Sequence, residues 1–148
     1  MNRKTTDKEW APRVRVPDHT EIALLSKNAL ELRDLMSSYS VDKPRHQITA
    51  VNLDTVFASW LRDSHRTMIE SKLIAVLGIT FGNYLCNRLS MQWVELTDHD
   101  GTTYAVRHET AEVYCFPLES VKKRLVSGEV GFFARIERAV HRHIKAFD

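Results

Sequence analysis

The chain has 148 residues and a formal net charge of +2, with 43% hydrophobic and 27% charged residues. This composition excludes a disordered or fibrous protein, and the nearly balanced charge excludes a polycation. A chain of this length can bury roughly two thirds of its unfolded surface, so we expect one hydrophobic core.

The first 17 residues contain five Lys or Arg and two prolines, and they show no helical periodicity. We therefore predict a flexible N-terminal arm over residues 1–17, which Trp10 could pin to the rest of the chain. Residues 18–148 are predicted to form a single α+β domain.

Two amphipathic helices are predicted to follow the arm. Asp18 can cap the first, because Glu21 stands three positions later as in a capping box, and Asn52 or Asp54 can cap the second. Pro44 and its polar neighbours predict a loop between them. Apolar residues recur at helical spacing, at Ile22, Leu25, Ala29, Leu32 and Met36 in the first helix and at Leu53, Val56, Phe57, Trp60 and Leu61 in the second.

A third helix is predicted from Met68 to Leu89. Its middle is apolar on nearly all sides, which is typical of a helix covered by other elements, so we place it at the centre of the fold. Gly78 and Gly82 lie four apart on one face, where they would let a neighbouring element approach closely. The apolar stretch from Leu73 to Phe81 is about half the length that crosses a bilayer, which excludes a membrane span.

The hydrophobic period then changes to two and predicts a small antiparallel sheet. Strands are expected at Gln92–Thr97 and Thr102–Glu109, joined by a turn from Asp98 to Gly101, with a third strand at Val113–Phe116. Gly101 fits a left-handed position in this turn. If Thr110 and Ala111 form a two-residue turn, the strand register places Cys115 opposite Val106, His108 opposite Val113 and Arg107 opposite Tyr114.

Two helices are predicted to end the chain. Pro117 suits the first turn of one helix, which ends at Gly128. The other begins at Phe132 and has an apolar stripe made of Phe133, Ile136, Val140, Ile144 and Phe147. The predicted fold is therefore α+β, with N-terminal helices and a central buried helix packed on a three-stranded antiparallel sheet and two C-terminal helices.

Several segments together carry a family resemblance. They are Leu77 to Gly82, Trp93-Val94, Asp98 to Gly101, Tyr104 to His108 and Phe116 to Leu118. Over about Leu77 to Leu125 the chain resembles a bacterial domain of unknown function, DUF3806. The resemblance implies a helix, a short antiparallel sheet and a further helix, and it implies no activity.

Three residues near the sheet are candidates for catalysis. Cys115 could act as a nucleophile if a base, of which His108 is the best placed, generated its thiolate. Arg107 and His108 lie beside Glu109 and Glu112, and such a cluster can adjust the pKa values of its members. The alternatives are a buried core thiol for Cys115 and a solvated sheet edge for the cluster.

No metal or cofactor is expected. His141 and His143 stand two apart on a helix and so point to different faces, whereas helical metal ligands are three or four apart. Asp98 to Gly101 is similar to the middle of a calcium loop, but Leu96 and Arg107 occupy positions where that loop needs acids.

The remaining candidates are two charged surfaces that could bind a partner. The acidic one, on the hairpin and the turn after it, comprises Glu95, Asp98, Asp100, Glu109 and Glu112. The basic one lies on the last helix at spacings of three and four and comprises Arg135, Arg138, Arg142 and Lys145. The alternative for the basic set is an ordinary solvated helix face.

These observations favour a non-catalytic module that binds another protein, for example a bacterial immunity protein that inhibits a toxin domain. An enzyme that uses the cluster of Arg107, His108 and Cys115 is the first alternative. A nucleic-acid binder that uses the last helix is the second, and it is disfavoured because no aromatic side chains interleave with the bases. Two cysteines without metal or redox spacing and no apolar leader predict a cytoplasmic protein.

Overall fold

The computed structural model of the protein describes residues 13–39, 41 and 48–147. Most of the predicted arm, residues 1–12, lies outside these residues, as does the part of the predicted loop around Pro44. The elements in chain order are β1 (Arg13–Arg15), α1 (His19–Lys27), a 3-10 turn (Asn28–Glu31), α2 (Leu32–Ser38), α3 (Ala50–Arg62), α4 (Glu70–Leu89), β2 (Met91–Asp98), β3 (Gly101–His108), β4 (Tyr114–Cys115), α5 (Pro117–Ser127) and α6 (Phe132–Phe147). The α+β class is thereby confirmed.

The N-terminal helices begin at capping boxes. The Asp18 carboxylate accepts the N–H of Glu21 at 2.9 Å, as predicted, and the helix continues through the 3-10 turn into α2. In α3 the cap is Thr49, whose hydroxyl accepts the N–H of Asn52 while the Asn52 side chain accepts the N–H of Thr49. The prediction of Asn52 or Asp54 as this cap was wrong, because Asn52 is the third residue of the same box and Asp54 binds elsewhere.

Helix α4 is the centre of the fold, as predicted, although it begins at Glu70 rather than Met68. Seven consecutive residues, Val76 to Gly82, are buried, so every side of the helix is covered in this segment. The two glycines make close approaches possible: the ring of Trp93 lies over Gly82, and Leu118 of α5 lies over Gly78.

The sheet has four antiparallel strands in the order β1-β2-β3-β4. The prediction of three strands was wrong, because Arg13–Arg15, within the predicted arm, pairs with β2 and places Arg15 opposite Glu95. Only three residues form this strand, all of them exposed, so hydrophobic periodicity could not reveal it.

Two turns connect strands β2, β3 and β4. Only His99 and Asp100 separate β2 from β3, and Gly101 has a φ of 123°, as expected of a residue that closes such a turn. Beyond β3, the predicted register is confirmed, with Val106 opposite Cys115 and Arg107 opposite Tyr114.

The C-terminal helices also follow the prediction closely. Pro117 opens α5, and Gly128 ends it with a φ of 74°. Phe133 of α6 packs edge-on against Phe81 of α4, at 4.9 Å between ring centroids, and Phe132 packs in the same way against Phe57 of α3 at 5.0 Å. The predicted apolar stripe of α6 holds except at its end, where Phe147 is 61% exposed. Within the described ranges, no helix has the length and apolarity that a membrane crossing requires.

Candidate functional site

The thiol of Cys115 is part of the core. The residue is 6% exposed, and burial raises the pKa of the thiol to about 12. A nucleophilic cysteine needs the opposite shift, because the thiolate is the reactive form. The environment of Cys115 therefore fits the core alternative better than a nucleophile.

His108 organises the turn that follows β3. Its Nδ1 accepts the N–H of Ala111 at 3.0 Å and the N–H of Thr110 at 3.3 Å. Because Nδ1 accepts these bonds, the neutral ring carries its proton on Nε2. Among the described residues no hydrogen bond links His108 to Cys115, so the register places the pair on one face without forming a base–nucleophile contact.

The acid Glu95 is neutralised within the fold. Its carboxylate lies 2.6 Å from the guanidinium of Arg15, which also binds Glu21. These hydrogen bonds raise the pKa of Arg15, and the bond from Arg15 lowers the pKa of Glu21 to about 2. Glu95 therefore helps to hold β1 on the sheet.

The other four acids lie at opposite ends of the hairpin. Asp98 and Asp100 form the tip, where the carboxylate of Asp98 accepts the N–H of Asp100 at 2.8 Å. Glu109 and Glu112 follow the other end of β3, seven residues along an extended strand, which spans about 23 Å. The structure thus divides the predicted acidic surface into two small pairs.

The bases of α6, in contrast, form one continuous surface. All four predicted residues are exposed, and His141 lies between them on the same side. We call these five residues the basic face: Arg135, Arg138, His141, Arg142 and Lys145. Among the described residues, only Arg135 of this set has a carboxylate within 4 Å, that of Glu129. From Arg135 to Lys145 the face extends over eleven residues of helix, or about 15 Å.

Asp54 fixes the N-terminus of this basic helix. Its carboxylate oxygens accept the N–H of Phe133 at 2.8 Å and that of Ala134 at 3.0 Å. Burial raises the pKa of Asp54, while these two bonds and the nearby Arg135 and Arg138 act in the opposite direction. No local sequence pattern predicts this cap, because 79 and 80 positions separate Asp54 from its two partners.

A second polar contact joins α6 to the central helix α4. The hydroxyl of Tyr84 donates to the carboxylate of Glu137 at 2.8 Å, and Arg88 lies 3.2 Å from the same carboxylate. Burial and the bond to Glu137 raise the pKa of Tyr84 to about 12. With Asp54, this contact holds α6 in a fixed orientation, so its bases are presented on a rigid element.

A furrow runs between α6 and the edge strand β4. One part, of about 640 Å³, includes Lys123 and Arg124 in its walls, and a second, of about 350 Å³, includes Glu112 and His143. Both parts share the lining residues Tyr114, Ile136 and Val140, so they are continuous. Sequence periodicity had assigned Ile136 and Val140 to the core stripe alone.

The metal-binding alternatives find no support in the geometry. Across residues 13–39, 41 and 48–147, no three His, Cys, Asp or Glu side chains come together as ligands would. Asp98 and Asp100 instead belong to the tight turn between β2 and β3.

Comparison with known proteins supplies a family but no activity. Searches of curated proteins and of solved structures each gave no match. The profile of a domain of unknown function, DUF3806, matches residues 58–134, a range that includes α4, β2, β3, β4 and α5. This range contains the segment whose resemblance the sequence suggested, and it covers more than half of the chain. The protein is therefore a member of the DUF3806 family.

Proposed function

We propose that this protein is a non-catalytic module that binds the acidic surface of another protein through the basic face of α6. The observation that carries the proposal is the continuity of that face, together with the absence of described carboxylates within 4 Å of Arg138, Arg142 and Lys145. Exposed charges of one sign speed the encounter with a surface of the opposite sign.

The rigid mounting of α6 supports this proposal. Asp54 and the contact of Tyr84 with Glu137 fix the helix before a partner arrives, so little orientational freedom of the bases is lost on binding. The acidic pairs at the hairpin ends offer a smaller surface, and Glu95 is already paired with Arg15.

The experiment compares a charge-reversed protein with a matched control. The double variant Arg138→Glu, Arg142→Glu removes the centre of the basic face, whereas Arg33→Glu, Arg62→Glu reverses two exposed bases on α2 and α3. Each protein is immobilised and incubated with native lysate at low salt, and the captured partner is identified and its association rate measured. We expect the first variant alone to lose the partner. Equal capture by both variants, or no stoichiometric partner for the wild type, would contradict the proposal.

Nucleic acid is the competing ligand for a basic helix, and the same material can test it. If DNA is the ligand, the logarithm of the binding constant for duplex DNA should fall linearly with the logarithm of the salt concentration, with a slope of roughly −1 for each phosphate contact. If the wild type binds DNA with such a slope and captures no protein, the acidic-protein proposal fails.

In its most specific form the proposal makes the partner a toxin and the protein its cytoplasmic immunity protein. Its support is the charged face of α6 and the two free thiols, which suit a reducing compartment. Co-expression with the captured partner tests it: wild type should restore growth, and the charge-reversed variant should not. A partner that is harmless when expressed alone would rule this form out.

A further inference from the structure

We propose that the furrow between β4 and α6 binds an extended peptide segment of a partner protein, which adds a strand to the edge of the sheet. This site lies on the flank of α6 away from the basic face, and the proposal does not depend on the function proposed above.

Among the described residues, none forms a strand beside the outer edge of β4, on the side away from β3. His108 donates its N–H to the carbonyl of Val113 at 3.1 Å, and Val106 stands opposite Cys115. In an antiparallel ladder, bonded and non-bonded pairs alternate, so the intervening residue Tyr114 directs its N–H and C=O away from β3. These two groups point toward the furrow, where an added strand would pair with them.

The furrow can also take the side chains of such a strand. Tyr114 is 37% exposed, and Ile136 and Val140 supply apolar surface beside it. Successive side chains of a strand alternate in direction, so every second residue of the peptide would enter the furrow. We therefore expect apolar residues at alternate positions.

The charges of the furrow define the peptide further. Glu112, two residues before β4, lines the narrower part and has no ion-pair partner within 4 Å among the described residues. In the wider part carboxylates outnumber bases, and the walls include Asp98, Asp100, Glu119, Lys123 and Arg124. A complementary peptide therefore carries basic residues, one of them near Glu112. Its chemistry is thus an extended segment with an apolar alternation and a net positive charge.

The test begins with a phage-displayed library of random seven-residue peptides selected on the wild-type protein. Enriched sequences are synthesised with a fluorescent label, and their Kd values are measured by anisotropy. Ala139 lines the furrow and is half-buried, so the larger side chain of Ala139→Leu should fill the furrow. Ala139→Ser, whose side chain stays small, is the matched control. Circular dichroism and thermal melting check that both variants fold.

We expect enriched peptides with alternating apolar residues whose Kd rises about tenfold in Ala139→Leu, a loss of roughly 1.4 kcal/mol. The Kd should not change in Ala139→Ser or in Arg138→Glu, Arg142→Glu. Tyr114→Pro compared with Tyr114→Ala provides a second measurement, because both variants lose the ring but only proline also lacks the outward N–H, and the Kd of Tyr114→Pro should be about fivefold higher than that of Tyr114→Ala.

Three outcomes would overturn the proposal. The first is a selection that enriches no peptide over an uncoated surface, and the second is a peptide that binds wild type and Ala139→Leu equally. The third is a wild-type dimer in analytical ultracentrifugation that Ala139→Leu converts to a monomer, because a second copy of the chain would then occupy the furrow.

Discussion

The indole ring of Trp93 on β2 packs directly against the backbone of α4 at Gly82. A Cβ built on Gly82 would overlap ring atoms Cζ2 and Cη2 of Trp93. The indole N–H also donates to the side chain of Asn83 at 2.9 Å, which holds the ring in place. The sheet is therefore seated on the central helix at a point where only glycine fits.

This contact predicts that Gly82→Ala destabilises the protein although alanine favours helix. Overpacking against a fixed ring costs about 1 to 3 kcal/mol, and the gain in helix propensity of about 1 kcal/mol offsets part of this cost, so we expect the free energy of unfolding to fall by up to about 2 kcal/mol. Urea unfolding measures the change. In the background of Trp93→Phe, whose ring is smaller, the same substitution should cost less. An equal cost in both backgrounds would show that the indole is not the obstacle.

Trp60 should contribute more to stability than any other single side chain of α3. It is 1% exposed, its N–H donates to the carbonyl of Met68 at 3.0 Å, and the guanidinium of Arg66 lies 3.9 Å from its ring. Trp60→Ala should lower the free energy of unfolding by about 3 to 5 kcal/mol, and Trp60→Phe by less, since it keeps a ring in the cavity. Chemical denaturation of both variants checks this order. Wild-type stability of Trp60→Ala would refute the core assignment.

The features that the sequence predicted correctly depend on residues close together in the chain. The capping box of Asp18 and Glu21, the turn closed by Gly101 and the helix opened by Pro117 are all decided within a few positions. The burial of α4 was equally readable, because a helix that is apolar on nearly all sides must be covered by other elements.

What the sequence could not predict are contacts between distant segments. The pairing of Arg15 with Glu95 spans 80 positions and fixes a strand too short to have a period. Asp54 likewise caps a helix 79 positions away, and in the sequence it resembles a cap for its own helix. In the candidate site, the helical spacing of the bases was readable, and the predicted hairpin already separated Asp98 and Asp100 from Glu109 and Glu112, whereas the pairing of Glu95 with Arg15 was not readable.

The thiols should be unreactive in the native protein. Burial raises the pKa of Cys86 and that of Cys115 to about 12, so almost no thiolate exists at pH 8. We expect reaction with a disulfide reagent such as DTNB to be slow in buffer and to accelerate strongly in denaturing urea. A free cysteine peptide serves as the control for the intrinsic rate. Rapid modification of Cys115 in the folded state would restore the nucleophile alternative.

Replacement of His108 should affect folding stability through the turn after β3. Without Nδ1, the N–H groups of Thr110 and Ala111 lose their acceptor, so His108→Ala should lower the free energy of unfolding by about 1 kcal/mol. His108→Asn, whose side-chain oxygen can accept the same bonds, should retain part of that stability. Thermal melting separates the two variants, and identical melting would argue against a role for the ring in the turn.

Asp54 links the stability of the fold to the orientation of the basic face. Asp54→Ala removes the acceptor for the N–H groups of Phe133 and Ala134 and should lower the free energy of unfolding by about 1 to 2 kcal/mol, with a smaller loss for Asp54→Asn.

The pKa of Asp54 is raised above 3.8 in the folded state, so the folded protein binds a proton more tightly than the unfolded chain does. Relative to Asp54→Asn, wild type should therefore lose stability as the pH rises from 3.8 through the raised pKa, and the difference should then become constant. Urea unfolding of both proteins between about pH 3.5 and 7, a range that begins near the ordinary pKa of Asp, measures this difference. A wild type that gains stability over Asp54→Asn with rising pH would show that the two N–H bonds outweigh burial at this carboxylate.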